Sequence, residues 1–163
     1  GGNEDKQVYL WNVEQPAPCP TIYKGHKAAP VTLSWLDDGD TLVTGSPSEI
    51  CVWETASGKL LRTIAADGTA IAPSGRLFAT REESTVRLRS LEDGRLVRSI
   101  VSLPAGTYLA VGPRGHYRAS PETEAELVYL VQTHSGQQML SPGQFAEKYG
   151  WKNDPELVQS WSD

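Results

Sequence analysis

The chain has only two cysteines in 163 residues, Cys19 and Cys51, and they fit no CxxC spacing. They cannot build a zinc site alone; two buried free thiols are the expected state, with a Cys19–Cys51 disulfide as the alternative. Methionine occurs once and phenylalanine twice, so any aromatic core must draw on the 5 tryptophans and 6 tyrosines. No apolar run reaches 18 residues, so no segment reads as a membrane-spanning helix. No basic segment followed by an apolar stretch opens the chain, which excludes a secretory leader within these residues. With 15 Lys+Arg against 20 Asp+Glu, the net charge of −5 disfavours nucleic-acid binding over the whole surface. Gly 15 and Pro 11 punctuate the chain too often for long helices. A hydrophobic content of 39% with mean hydropathy −0.38 fits one domain rich in strand and loop. None of this names a compartment or a reaction.

Charge is not evenly distributed. Residues 1–54 carry three lysines and eight carboxylates, residues 55–118 ten cations and five carboxylates, and residues 119–163 two cations and seven carboxylates. Nine of the ten central cations are arginines: 62, 76, 81, 87, 89, 95, 98, 114 and 118. Arginine forms bidentate pairs with carboxylate or phosphate better than lysine does. This stretch either pairs with acidic neighbours in the same fold or presents a surface to an anionic partner.

A pattern recurs along the chain. QVYLWN at 7–12, EICVWE at 49–54 and TVRLRS at 85–90 each alternate aliphatic residues with large side chains, and LVYLVQT at 127–133 is a looser copy. Period two means a strand. Each of the first three copies leads through a turn to a second strand: CPTIY (19–23), KLLRTIA (59–65) and RLVRSIV (95–101). Ser57-Gly58 and Asp93-Gly94 mark two of those turns. Further strand pairs turn at Asp38-Gly39, at Pro73-Ser74-Gly75 and at Gly112-Pro-Arg-Gly115. Four short antiparallel strands per 36–42 residues is the unit of a β-propeller blade.

These residues resemble a WD-repeat β-propeller over roughly residues 7–133. Gly25-His26 matches the family's Gly-His, Trp11 and Trp53 match its strand-ending tryptophan, and Ala72-Pro73-Ser74-Gly75 matches an inter-strand turn. Trp11 is followed by Asn12 and Trp53 by Glu54, where the family has aspartate. The family's buried aspartate is absent at Pro47-Ser48, and Glu83 is its candidate in the next repeat. The resemblance therefore implies a partial network of His26 and Trp53 with the hydroxyl of Thr44 or Ser46. GHYRAS (115–120), ELVYLVQT (126–133) and SPGQFAEKYGWKNDP (141–155) resemble the C-terminal end of bacterial, planctomycete-like WD-repeat proteins. In that tail Ser141 reads as an N-cap, Pro142 as N1, Gln144 as N3 of a capping box and Gly150 as a C-cap, which predicts a helix of about two turns. A mobile end is expected beyond Asp154-Pro155, unless Trp161 pins it.

The expected fold is all-β: a partial propeller of about three to three and a half four-stranded blades with a short C-terminal helix. Residues 1–24 would end a preceding blade, 25–65 and 66–101 would be blades, 102–140 a modified terminal blade, and 141–163 the helix and tail. Propellers close with about four to eight blades. Too few are present here, and an open arc leaves apolar faces that need cover. A second chain, either an N-terminal fragment or a symmetry copy, is the expected supplier of the missing blades.

Catalytic chemistry finds little support. His26, His116 and His134 are not spaced i, i+4, and none is expected to pair with a nearby cysteine, so no metal or other cofactor is expected. His26 is expected under a blade, and the other two at the surface. Ser46, His26 and Asp37 form a triad only on paper, without nucleophile-elbow glycines. Asp37-Asp38-Gly39-Asp40 lacks the calcium loop's terminal glutamate and reads as a turn, as does Gly112–Gly115 without Gly-Lys-Ser/Thr. Arg87 and Arg89 fall where sister strands carry Tyr9/Trp11 and Cys51/Trp53, so one strand face becomes a pair of cations needing solvent, carboxylates or an acidic ligand. The expected function is non-catalytic protein–protein scaffolding, with a protein ligand on a loop face. Its contact candidates are Lys24, Lys27, Arg81, Glu82, Glu83, Arg87, Arg89 and Trp35. The alternative is a regulatory or sensor module cut from an effector enzyme such as a peptidase or kinase.

Overall fold

The computed structural model describes residues 5–14, 19–66, 70–72, 74–134 and 136–158. The chain divides into two compact units, Gly1–Glu82 with Val86–Leu96, and Glu83–Thr85 with Val97–Asp163. The fold is mainly β, a partial propeller with short helices.

In the first unit, β1 (Gln7–Leu10) and β2 (Thr21–Lys24) form a two-stranded sheet. Next, β3 (Thr32–Trp35), β4 (Thr41–Gly45), β5 (Ile50–Glu54) and β6 (Leu60–Ile64) make a four-stranded antiparallel sheet in chain order. A third set follows with β7 (Ala70–Ile71), β8 (Leu77–Glu82) and β9 (Thr85–Ser90). The inner strands β4 and β5 of the middle sheet are buried on both faces, and strand alternation sorts their side chains between them. Val43, Ile50, Val52 and Ile64 face one way and pack with Phe78 and Leu91. Leu42, Cys51 and Trp53 face the other way and pack with Val8 and Tyr23. β5 is accordingly buried from Ile50 to Trp53.

The turns set this stacking. Asp38 Oδ1 accepts from the backbone N–H of Asp40 and Thr41 at 3.0 and 2.9 Å, fixing the β3–β4 hairpin. Gly75, at φ +72°, lies so close to the preceding sheet that a Cβ would sit 2.6 Å from Leu36 Cδ1. Gly94, at φ +75°, repeats the arrangement against Ile64 Cγ2 at 2.8 Å.

In the second unit, β10 (Leu96–Ser102), β11 (Tyr108–Val111) and β12 (Tyr117–Ala119) pair antiparallel. The helix α1 (Pro121–Glu126), which the sequence reading did not anticipate, starts from Pro121 after the N-cap Ser120. The hairpin of β13 (Tyr129–Thr133) and β14 (Gly136–Leu140) leads into α2 (Pro142–Tyr149). The expected capping box is present: Ser141 accepts from Gln144 N–H, Gln144 reaches back to the Ser141 N–H, and Gly150 takes the left-handed conformation. Phe145 stacks on Tyr129 at 4.4 Å and meets Trp151 edge-on at 5.9 Å.

Three expectations are corrected. His116 is half-buried rather than solvent-facing: it stacks on Trp151 at 5.0 Å, and its Nδ1 accepts from the Asp154 N–H at 3.0 Å. Residues 155–158, expected in a mobile end, are docked. Asn153 bonds both N–H and C=O of Tyr117, a short 3-10 turn spans Pro155–Leu157, and Val158 is fully buried. Trp161 lies outside the described residues. Both cysteines are free, yet Cys19 is exposed because it precedes β2 instead of lying in a strand.

Candidate functional site

The middle sheet of the first unit carries a buried polar chain. His26 sits just before β3, Thr44 on β4 and Trp53 on β5, and all three are buried. Trp53 Nε1–H donates to Thr44 Oγ1 at 2.7 Å, and Thr44 Oγ1 lies 2.6 Å from His26 Nε2. The hydroxyl, having accepted from the indole, has its proton to give to Nε2. That assigns the imidazole proton to Nδ1. Nδ1 points at Glu49 Oε1, 3.5 Å away, and at Cys51 Sγ, 3.6 Å away. Glu49 also accepts from the Lys27 backbone N–H, which ties the loop before β3 to the β4–β5 turn.

A carboxylate therefore completes this network, and the expectation of a partial one is corrected. The acid stands at Glu49, not at 47 or 48, and its longer side chain reaches back to the imidazole from the residue before β5. Sequence spacing alone passed over it. The readable signal was a glutamate directly ahead of the apolar run Ile50–Trp53, where a solvated carboxylate is out of place.

His26, Glu49 and Cys51 bring three potential metal-ligand atoms within 4.8 Å of one another. Burial keeps the thiol and the imidazole of this set uncharged near neutral pH. Burial pushes the Cys51 thiol up to about 11, where metal binding needs thiolate. Burial also holds His26 below its ordinary pKa, partly offset by the nearby Glu49 charge.

A second feature lies on β8 and β9. Arg81 and Glu82 on β8 and Arg87 and Arg89 on β9 line a cavity of about 320 Å³ together with Ala65, Ala66 and Thr80. Arg87 pairs with Glu82 at 2.5 Å, and Arg89 donates to the Gly94 carbonyl at 3.0 Å.

Residues 17–54 match the WD domain, G-beta repeat. The chain is also 28% identical over 106 residues to the U5 small nuclear ribonucleoprotein 40 kDa protein of Dictyostelium discoideum. That match covers 53% of this chain and 30% of the relative, so the chain spans under a third of the relative's length.

The WD match ends at Glu54, so it contains His26, Thr44, Glu49 and Trp53 together. Ser46 is buried beside this set but bonds the Glu49 carbonyl at 3.2 Å; Thr44 supplies the shared hydroxyl. Trp11 lies past the end of β1, 46% exposed and stacked on Tyr9 at 5.8 Å, apart from the network. Of the contact candidates, the structure brings Arg81, Glu82, Arg87 and Arg89 into one cavity. Glu83 is exposed at φ 52° in the β8–β9 turn. Lys24 and Lys27 are exposed around the His26 loop, and Trp35 is exposed at the end of β3.

Proposed function

We propose that this chain is a non-catalytic WD-repeat propeller segment that works as a protein-interaction scaffold, completed by strands from a second chain or fragment. One observation carries the completion: the face of the middle sheet that holds Trp53 is only partly covered. Trp35, Leu42, Trp53 and Leu60 run across it in one row, and Leu33, Thr44, Cys51 and Thr63 in the next. Val8 and Tyr23 seal Leu42, Cys51 and Trp53, whereas Leu33 and Trp35 remain 46% and 41% exposed. Among the described residues β1 pairs only with β2. Two strands laid along the other edge of β1 would extend the cover over Leu33 and Trp35 and give that sheet the four strands of its neighbour.

In this reading residues 1–24 close a preceding blade, 25–65 and 66–101 are blades, 102–140 a modified terminal blade, and 141–163 a cap. The WD match and a relative named as a ribonucleoprotein component support placement in a multi-protein assembly. The bacterial, planctomycete-like kinship rests on the tail residues 115–120, 126–133 and 141–155 alone. Native mass spectrometry of the purified chain tests the completion. A copurifying polypeptide or an integer multimer is expected. A single-chain mass with a cooperative melt would overturn it.

A further inference from the structure

The arginine cavity has a chemistry of its own. Among the described residues, Arg87 and Arg89 line it together with Arg81 and the carboxylate of Glu82. Its walls include two small residues, Ala65 and Ala66, so a ligand can approach the cations closely. Arg87 and Arg89 are two apart on β9 and so project to the same side of the strand. Arg89 is braced: one N–H goes to the Gly94 carbonyl at 3.0 Å, which orients the fork, and among the described residues no other bond takes its remaining donors. The Arg87–Glu82 pair is open to solvent, with side chains 40% and 60% exposed, so its partner is easily exchanged for another oxyanion.

We propose that this cavity binds an oxyanion-bearing peptide segment of a protein partner, with Arg87 and Arg89 gripping a carboxylate or phosphate and Glu82 displaced from Arg87. The choice of a protein partner rests on the scaffold reading; the anion site itself does not. Peptide is favoured over nucleic acid because none of the described residues lining the cavity is an aromatic platform for base stacking and the chain carries net charge −5. Planar guanidinium forks match carboxylate and phosphate in two-point contacts, which lysine cannot reproduce.

The test is titration of the whole chain with a fluorescent glutamate-rich octapeptide, a phosphoserine octapeptide and a single-stranded RNA of equal charge. Saturable peptide binding is expected, weakened about tenfold or more by Arg87→Ala with Arg89→Ala, the size of one lost charge-assisted hydrogen bond. Arg87→Lys with Arg89→Lys keeps the charge and removes the forks, and an intermediate loss is expected even if the alanine pair folds poorly. The two peptides separate carboxylate from phosphate as the oxyanion. Arg114→Ala with Lys152→Ala, at exposed positions outside the cavity, removes equal charge and leaves binding unchanged. Equal loss in that control, tighter binding of the RNA, or no peptide binding overturns the proposal. A single-chain mass beside cavity-dependent peptide binding would sink the completion and leave the anion site standing. A companion chain without peptide binding would do the reverse.

Discussion

β5 and β9 read alike as sequence, EICVWE against TVRLRS, and do opposite things. On β5 the large side chains are Cys51 and Trp53, both fully buried between two sheets. On β9 the same slots hold Arg87 and Arg89, half-buried around a cavity. Both strands keep an apolar residue on the other face, Val52 in one and Leu88 in the other, so the backbone role is shared. An indole brings one N–H, which a neighbouring hydroxyl satisfies, and the rest of it can be sealed. A guanidinium brings five N–H donors and a permanent charge, which a closed interior cannot satisfy cheaply. Substituting one for the other converts a sealed interior into an open pocket without changing the fold of the strand.

The sharpest way to break this contrast is at Trp53. Trp53→Ala removes the largest fully buried side chain among the described residues, and the cost expected is about 3–5 kcal/mol. Trp53→Phe keeps most of the packing and leaves Thr44 Oγ1 without the indole donor, so a smaller loss of about 1–3 kcal/mol is expected. Urea unfolding of the two variants measures both. A loss under about 1 kcal/mol for the alanine variant would show that the network and its packing do not anchor this sheet.

A second contrast is pH. His26 is held below its ordinary value of 6.5 by burial, against the pull of Glu49. The unfolded chain then binds more protons than the folded one as pH falls through 6.5, so stability is highest above that pH and declines below it. The decline levels off once pH passes the lower folded value. At the alkaline end the sign reverses: the Cys51 thiol, raised from 9.0 to about 11, stays protonated in the fold while the unfolded thiol ionises. Stability is therefore lost between about pH 9 and 11. Unfolding free energies across this range check both limbs, with His26→Gln removing the acidic one. Stability that grew from pH 7 to 5 would contradict the neutral, buried imidazole.

Strand alternation and Asp-Gly or Ser-Gly turns are local signals, and they placed the sheets of the first unit from the sequence. The capping box at Ser141 and Gln144 is equally local, and α2 begins there. The rest needed contacts distant in sequence. Glu49 matters because His26, more than twenty residues earlier, folds back onto it. Residues 153–158 are docked because Asn153 copies the hydrogen bonding of a strand edge beside Tyr117, which no period in the sequence announces. Arg87 and Arg89 were visible as cations on a strand face. That Arg81 and Glu82 join them is a consequence of β8 pairing beside β9.

The smallest effect is expected at the arginine that replaces the tryptophan. Arg89 has one described bond, to the Gly94 carbonyl in the next turn, and that carbonyl lies where water can take over. Its stem covers part of the cavity wall, so Arg89→Ala loses some packing as well as charge. A neighbouring cation, Arg87, gains from the reduced repulsion. These terms oppose each other, and a change within about 0.5 kcal/mol is expected, against several for the same slot on β5. Parallel urea titrations of Arg89→Ala and Trp53→Ala make the comparison direct. A loss above about 2 kcal/mol at Arg89 would mean that its guanidinium holds the sheet together. The cavity would then be a structural joint with no donors to lend a partner.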